Sequence, residues 1–411
     1  MNRSTREAVE AVWRIESAHI VATLARYTGD FAMAEDVAQE ALAVALVTWP
    51  RDGVPVNPAG WLLTTARRRA IDAFRRRSAL DERYAALAHQ ADESEEPDWD
   101  PDRIEDDVLA LMFISCHPAL SRESQVALTL RVVGGLTSDE IARGFLVPTA
   151  TVQARITRAK KTLAAARVPF EVPPPQERRE RLGSVLSVVY LIFTEGSSAT
   201  TGSALIRTDL AREAVREARM LSHLVPDEPE VHGLLALLEL TAARFPARTD
   251  ADGVPVLLED QDRRRWDRAA IRRGRAALQQ AGRVGRGLGA YGVQAAIAEC
   301  HAVAPSVAET DWGRIVVLYE ALSRLAPSPI VSLNHAVAVS MEDGPAAALE
   351  IVDELVATGA LAGSHLLPTV RGELLVRLGR AEEARTELES AVRLCPSEPE
   401  RIVLARKLDA L

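Results

Sequence analysis

From Gly135 to Lys161 the chain reads as two helices joined by one sharp turn. Thr137 followed three residues later by Glu140 is a capping box that starts the first of them. Gly144 supplies the turn, and Pro148 suits the first turn of the second helix. Ile141, Leu146, Val152 and Ile156 recur at helical spacing and close the pair, leaving Gln153, Ala154, Thr157 and Arg158 on the outer face. Residues 143–167 carry six Lys or Arg and no acid. Such a segment has the form of a helix-turn-helix whose second helix enters a major groove.

The net charge of −9 over 411 residues would argue against a nucleic-acid binder if it were evenly spread. It is segregated instead. Residues 62–77 hold six Arg against one Asp, and residues 81–107 hold twelve Asp or Glu against two Arg. Affinity for a polyanion follows the local field, so two basic segments flanking an acidic one keep nucleic acid in view. A hydrophobic fraction of 47% with only 4% aromatics favours helices, and the length calls for two to three domains. Cys116, Cys300 and Cys395 lack any ligand spacing, which suits a reducing cytosol and argues against a disulfide framework or a zinc site. No signal peptide is evident, and the apolar run at Leu234–Leu240 is far short of the ~20 residues of a membrane span. A cytoplasmic protein is expected.

Along the chain, apolar positions from Trp13 through Ile15 and Ile20 to Leu24 predict a first helix ended by Gly29. Ala34–Trp49 predicts a second helix, 50–58 a Pro- and Gly-punctuated loop, and Asn57-Pro58 the start of an arginine-rich third. The expected division is a helical domain at 1–78, an acidic flexible linker at 79–107 and a second helical domain at 108–170. A Pro-rich hinge at 171–182, a helical extension at 183–290 and helical hairpins at 291–411 complete it. The hairpin expectation rests on an internal echo: Val225-Pro-Asp-Glu-Pro-Glu230 recurs as Cys395-Pro-Ser-Glu-Pro-Glu400, with Ala214 matching Ala384, Leu221 matching Ala391 and Leu224 matching Leu394. Leu378 to Pro396 resembles a tetratricopeptide repeat, with Gly344–Val352 a degraded neighbour.

Taken in order, these segments resemble a bacterial RNA polymerase sigma factor of the extracytoplasmic-function (ECF) type. The Ala34-Glu-Asp-Val-Ala-Gln-Glu40 stretch is similar to the family's core-polymerase-binding helix, which implies Asp36, Val37, Gln39 and Glu40 as contacts. Asn57 to Arg77 is similar to the −10 reader. The resemblance implies base capture in the loop before Trp61, with Asn57 and Trp61 at the site. Arg67, Arg68, Arg75 and Arg76 are the expected phosphate contacts. A competing reading puts Trp61 in the core beside Leu62, Ile71 and Phe74. The helix-turn-helix matches the −35 reader, with Gln153, Ala154, Thr157 and Arg158 base-facing and Arg155 and Lys160 nearer the phosphates.

Val189 to Gly196, Leu258 to Asp267 and Gln294 to His301 resemble the tetratricopeptide-like extension of one ECF subgroup. Glu259, Asp260, Asp262 and Arg263–Arg265 read either as a pocket lining or as a salt-bridged helix start. The expected fold class is all-α: two small helical sigma domains, the second with a helix-turn-helix, followed by a large tetratricopeptide-like domain. The resemblance implies a non-enzymatic sigma factor with core RNA polymerase and promoter DNA as partners, no cofactor and no metal. The extension would regulate through the sigma domains or a cytosolic protein. The alternative is a helix-turn-helix regulator with a tetratricopeptide sensor that binds duplex operator without polymerase.

Overall fold

The computed structural model describes residues 3–78, 101–145, 147–197, 208–250, 254–285 and 287–411. Among the described residues there is no strand beyond one isolated bridge, Thr249 to Pro255. The chain forms two compact units, Met1–Leu191 and Ile192–Leu411.

In the first unit α1 (Arg3–Thr28), α2 (Phe31–Asp52) and α3 (Pro58–Ser78) pack on one another. Gly29 ends α1 at φ +64°, donating its amide to the Ala25 carbonyl at 2.9 Å, the left-handed stop the sequence predicts. Asp30 caps α2 by accepting from the Met33 amide at 3.1 Å. That helix runs past the expected end and takes Pro50 into its last turn. Ile15 departs from the expected buried stripe and is 67% exposed. Asn57 accepts from the Gly60 amide at 2.9 Å and so starts α3.

Then come α4 (Pro101–Ser115), α5 (Arg122–Val132), α6 (Ser138–Phe145) and α7 (Thr149–Ala165). The expected linker is cut short: 79–100 lies outside the described residues, and 101–107 is the start of α4, where Asp107 is buried and paired with Arg26 at 2.9 Å. Thr137 and Glu140 form the predicted capping box, with Thr137 N to Glu140 Oε2 at 2.8 Å and Glu140 N to Thr137 Oγ1 at 3.2 Å. Gly144 corrects the sequence reading. It lies inside α6, which runs on to Phe145, and Pro148 sits just ahead of α7 rather than within it. Leu146 is outside the described residues; Ile141, Val152 and Ile156 are buried as expected. Gly135 is needed twice over, by φ +67° and because a Cβ there would stand 2.6 Å from Ser17 Oγ of α1.

A long α8 (Pro175–Ser197) starts inside the expected hinge, so only a few residues near Pro173 are left for one, and the unit division falls within this helix. In the second unit α9 (Thr208–Leu224), α10 (Pro229–Ala242), α11 (Arg268–Val284) and α12 (Ala290–Val303) precede α13 (Trp312–Leu325) and α14 (Pro329–Glu342). Then come α15 (Pro345–Ala357), α16 (Leu366–Arg377), α17 (Ala381–Leu394) and α18 (Glu398–Asp409). Each helix packs chiefly on its chain neighbours, and α10 also on α12, as stacked hairpins do. The internal echo occupies equivalent places. Pro226 follows α9 as Pro396 follows α17, and the matched pairs Ala214/Ala384 and Leu221/Ala391 are all fully buried.

Candidate nucleic-acid and polymerase interfaces

Helix α7 buries Val152, Ile156, Ala159 and Leu163, one residue every three or four, and this sets what faces outward. Gln153, Ala154, Thr157 and Arg158 are exposed together on the opposite face, as expected of a groove-reading surface. Arg155 is half-buried near Glu123. Lys160 departs from its expected role. Its ammonium turns inward and donates to Glu35 and, at 2.6 Å, to Asp36. Burial works against the charged lysine, but Glu35 and Asp36 outweigh it and hold its pKa above the ordinary value.

The acceptor, Glu35, is 3% exposed and also takes a hydrogen bond from Arg131 Nε at 3.1 Å. Glu35 was not singled out in the sequence, because its partners lie about a hundred residues away on α5 and α7. One buried carboxylate therefore ties the expected polymerase-binding helix to the expected −35 reader. Removing one member of such a group strands a buried charge, a loss on the order of 3–5 kcal/mol. An Arg14–Glu140 bridge adds to the same contact at its exposed edge.

Of the expected polymerase contacts, Asp36 and Glu40 are exposed, Gln39 is half-buried and Val37 is 3% exposed. Val37 belongs to the first unit's own core, since α2 must bury that face against α1 and α3. Asp36 is engaged by Lys160, and Glu40 lies 3.7 Å from Arg69.

On α3, Arg68 and Arg75 are exposed, while the side chain of Arg76 lies outside the described residues. Arg67 is half-buried, with its guanidinium 4.7 Å from the Tyr27 ring centre, so it serves packing in this conformation rather than a phosphate. Trp61 is half-buried and meets Trp49 edge-on at 5.4 Å. Both indoles line a cleft of about 260 Å³ closed by Thr48, Asp52, Gly53, Val54 and Pro55. Trp49 was missed because its helix ends just there in the sequence reading. It is 2% exposed, and its buried Nε1 has no hydrogen-bond partner among the described residues. Val54 and Val56 project from the adjoining loop into solvent.

The second unit holds a different cluster. Arg244, Arg248 and Arg263 come together with Trp266 and His301 around two short 3-10 turns, Phe245–Ala247 and Arg263–Arg265. The guanidinium carbons of Arg263 and Arg244 lie 4.5 and 5.5 Å from the Trp266 ring centre. Burial, then Arg248 and Arg263, bring Arg244 down to about 10. Burial, then Arg244 and Arg263, bring His301 down to about 4. A guanidinium largely withdrawn from water without an anion costs several kcal/mol, and an aromatic face returns roughly 0.5–2 kcal/mol of it. Of the expected pocket residues, Asp262 pairs with Arg264 at 2.9 Å and starts the second turn, which fits the salt-bridge reading.

His365, Cys395 and Glu400 place their ligand atoms within 4.8 Å of one another. The Cys395 thiol donates to the Ser397 carbonyl at 3.4 Å, and burial pushes its pKa up, so it is a poor thiolate ligand. No helix among the described residues is long and apolar enough to cross a membrane.

Two basic helical readers on one compact unit define a DNA-handling protein of all-α class. Comparison with known proteins narrows that class. Residues 15–79 match the Sigma-70 region 2 family, residues 110–163 match Sigma-70 region 4, and residues 181–282 match a family of unknown function. An uncharacterized protein of Rhizobium meliloti (strain 1021) is 44% identical over 400 residues, spanning 94% of this chain and 92% of its own. The probable ECF RNA polymerase sigma factor SigI of Mycobacterium tuberculosis is 28% identical over 178 residues, 43% of this chain and 61% of SigI. The ECF RNA polymerase sigma factor SigL of the same species is 32% identical over 140 residues, 34% of this chain and 76% of SigL. The chain belongs to the ECF-type RNA polymerase sigma factors, with a large helical domain following the second sigma domain.

Proposed function

We propose that this sigma factor binds core RNA polymerase through the exposed part of α2, reads the −35 element with α7 and opens the −10 element with α3 and the loop before it. The catalytic work of RNA synthesis then belongs to the polymerase, and the helical C-terminal unit regulates where or when initiation occurs. The observation that carries the reading is the cleft lined by Trp61 and the edge of Trp49 on the same unit as the outward Gln153–Arg158 face: an aromatic-walled cleft and a duplex reader are both needed only where DNA is melted as well as recognised. The exposed Val54 and Val56 supply apolar side chains at the edge of that cleft, where a wedge would part stacked bases.

The conformation described is closed. Elements centred about 25 base pairs apart lie roughly 85 Å apart along B-DNA, at 34–36 Å per turn. Two readers tied through one carboxylate do not span that distance, so engagement of a promoter requires the Glu35–Lys160 contact to open. Run-off transcription with purified core polymerase over a genomic promoter library tests the reading. Start sites that appear only with this chain are expected. Tight sequence-specific binding to duplex DNA without polymerase, and no stimulation of transcription with it, would favour an operator-binding regulator instead.

A further inference from the structure

We propose that Arg244, Arg263 and His301 form a binding site for the oxyanion group, phosphate or carboxylate, of a small molecule. The site lies wholly within the second unit and does not depend on how the sigma domains work.

Three independent features point to an oxyanion acceptor. The first is the lack of a counter-charge. Arg244 makes one long hydrogen bond, Nε to Gln261 Oε1 at 3.4 Å, and neither Arg244 nor Arg263 has a carboxylate within 4.0 Å among the described residues. The second is the set of unused donors. Arg263 spends Nη1 on the His301 and Ala304 carbonyls, at 2.6 and 2.8 Å, which closes the C-terminal end of α12. That leaves its Nη2 buried with no partner among the described residues, and the same holds for His301 Nδ1 and Trp266 Nε1. Trp266 is 2% exposed, so water does not serve its indole N–H. The third is rigidity. Trp266 lies against both guanidiniums, His301 stacks edge-on with Trp312 at 5.3 Å, and Arg263 is fixed by its two carbonyls. Donors that are already in place bind with little loss of side-chain freedom.

The chemistry selects the ligand class. Converging guanidiniums repel a metal cation and offer planar forks that match the oxygens of a phosphate or carboxylate. A neutral His301, kept so by burial and the two arginines, still presents one ring N–H to an oxygen. Arg248, next to Arg244, donates to the Ser197 carbonyl at 2.8 Å and adds positive field.

Isothermal titration of the full-length protein with inorganic phosphate and, separately, with succinate tests the proposal, each against sodium chloride at matched ionic strength. Saturable binding of one anion per chain is expected from at least one of the two, and the arm that responds tells phosphate from carboxylate. Arg244→Gln and Arg263→Gln should each weaken it at least tenfold. Arg264→Gln, an exposed neighbour already paired with Asp262, should leave it unchanged. Arg263→Gln also removes the closure of α12, so circular dichroism accompanies it. Arg244→Gln loses only the long bond to Gln261 and the contact with the Trp266 ring, and it keeps the test sound if the other variant unfolds. No saturable heat from either anion, or binding undiminished in Arg244→Gln, overturns the proposal.

Discussion

Arg158 stands at the middle of the exposed face of α7, where a guanidinium can reach the edge of a base rather than the backbone. Arg158→Ala should therefore cost roughly 1–3 kcal/mol of −35 recognition, about 5- to 150-fold in promoter-dependent run-off, with little change on a template whose −35 element is scrambled. Equal losses on both templates would assign Arg158 to phosphates. Glu217 on α9 gives a second residue-scale expectation. It is fully buried, neither carboxylate oxygen has a hydrogen-bond partner among the described residues, and burial followed by Glu213 pushes its pKa up to about 8, with Arg216 only partly opposing. An unfolded chain releases that proton in the ordinary carboxylate range. Between there and about pH 8 the folded state thus holds the extra proton, and stability falls as pH rises. Glu217→Gln removes the ionisation. Its Tm should exceed that of the parent at pH 8 and converge with it toward pH 4.5. A gap that does not vary with pH would mean that the carboxyl finds solvent or a partner.

At the scale of elements, α2 and α7 meet through Glu35, Asp36 and Lys160. A double-mutant cycle with Glu35→Gln and Lys160→Met, followed by urea unfolding, should give a coupling of about 1–3 kcal/mol, since the pair is largely shielded from water and salt. Glu35→Gln should also raise polymerase-free binding to a −35 duplex by freeing Lys160 for the backbone; unchanged binding in a low-salt gel shift would show that the contact does not withhold the reader. How far such elements can be read from sequence depends on the range of the forces involved. The capping box of α6 and the stop at Gly29 are local hydrogen-bond patterns and were legible. Gly144 was misplaced because a glycine inside a helix costs only about 1 kcal/mol against alanine, which packing in α6 absorbs. The ion pairs of Lys160 were missed because its partners arrive from the other sigma domain, and no periodicity on α7 announces them. Trp61 was left open between core and base capture, and the structure half-buries it against Trp49 while part of it lines the cleft.

For the whole molecule, the all-helical class and the order of sigma domains followed by helical extension were legible, because helical spacing and charge blocks run the length of the chain. The boundaries were less so. Residues of α8 through Leu191 group with the first unit, so a cut at the expected hinge near Arg179 would remove part of it. A truncation after Ser197 keeps α8 whole and is the better test of regulation. It should still capture core polymerase in a pull-down while its run-off activity differs at least severalfold from the full-length protein. Identical activity across promoters would make the C-terminal unit a separate binding module. The arginine cluster around Trp266 was half seen, as Arg263–Arg265 in one run, but its other members, Arg244 and His301, meet it only through tertiary structure.

The inward turn of Lys160 also bears on attempts to retarget this protein. Grafting a foreign recognition helix onto α6 to redirect the polymerase would change the outward residues as intended. Unless the graft keeps a cation at position 160, it would also leave Glu35 with Arg131 alone, in a helix the polymerase itself is expected to grip. The helix that carries the outward residues thus also supplies the side chain that holds α2 in the free protein. A library that randomises Gln153, Ala154, Thr157 and Arg158 but holds Lys160 fixed should yield far more usable specificities than one that shuffles entire helices.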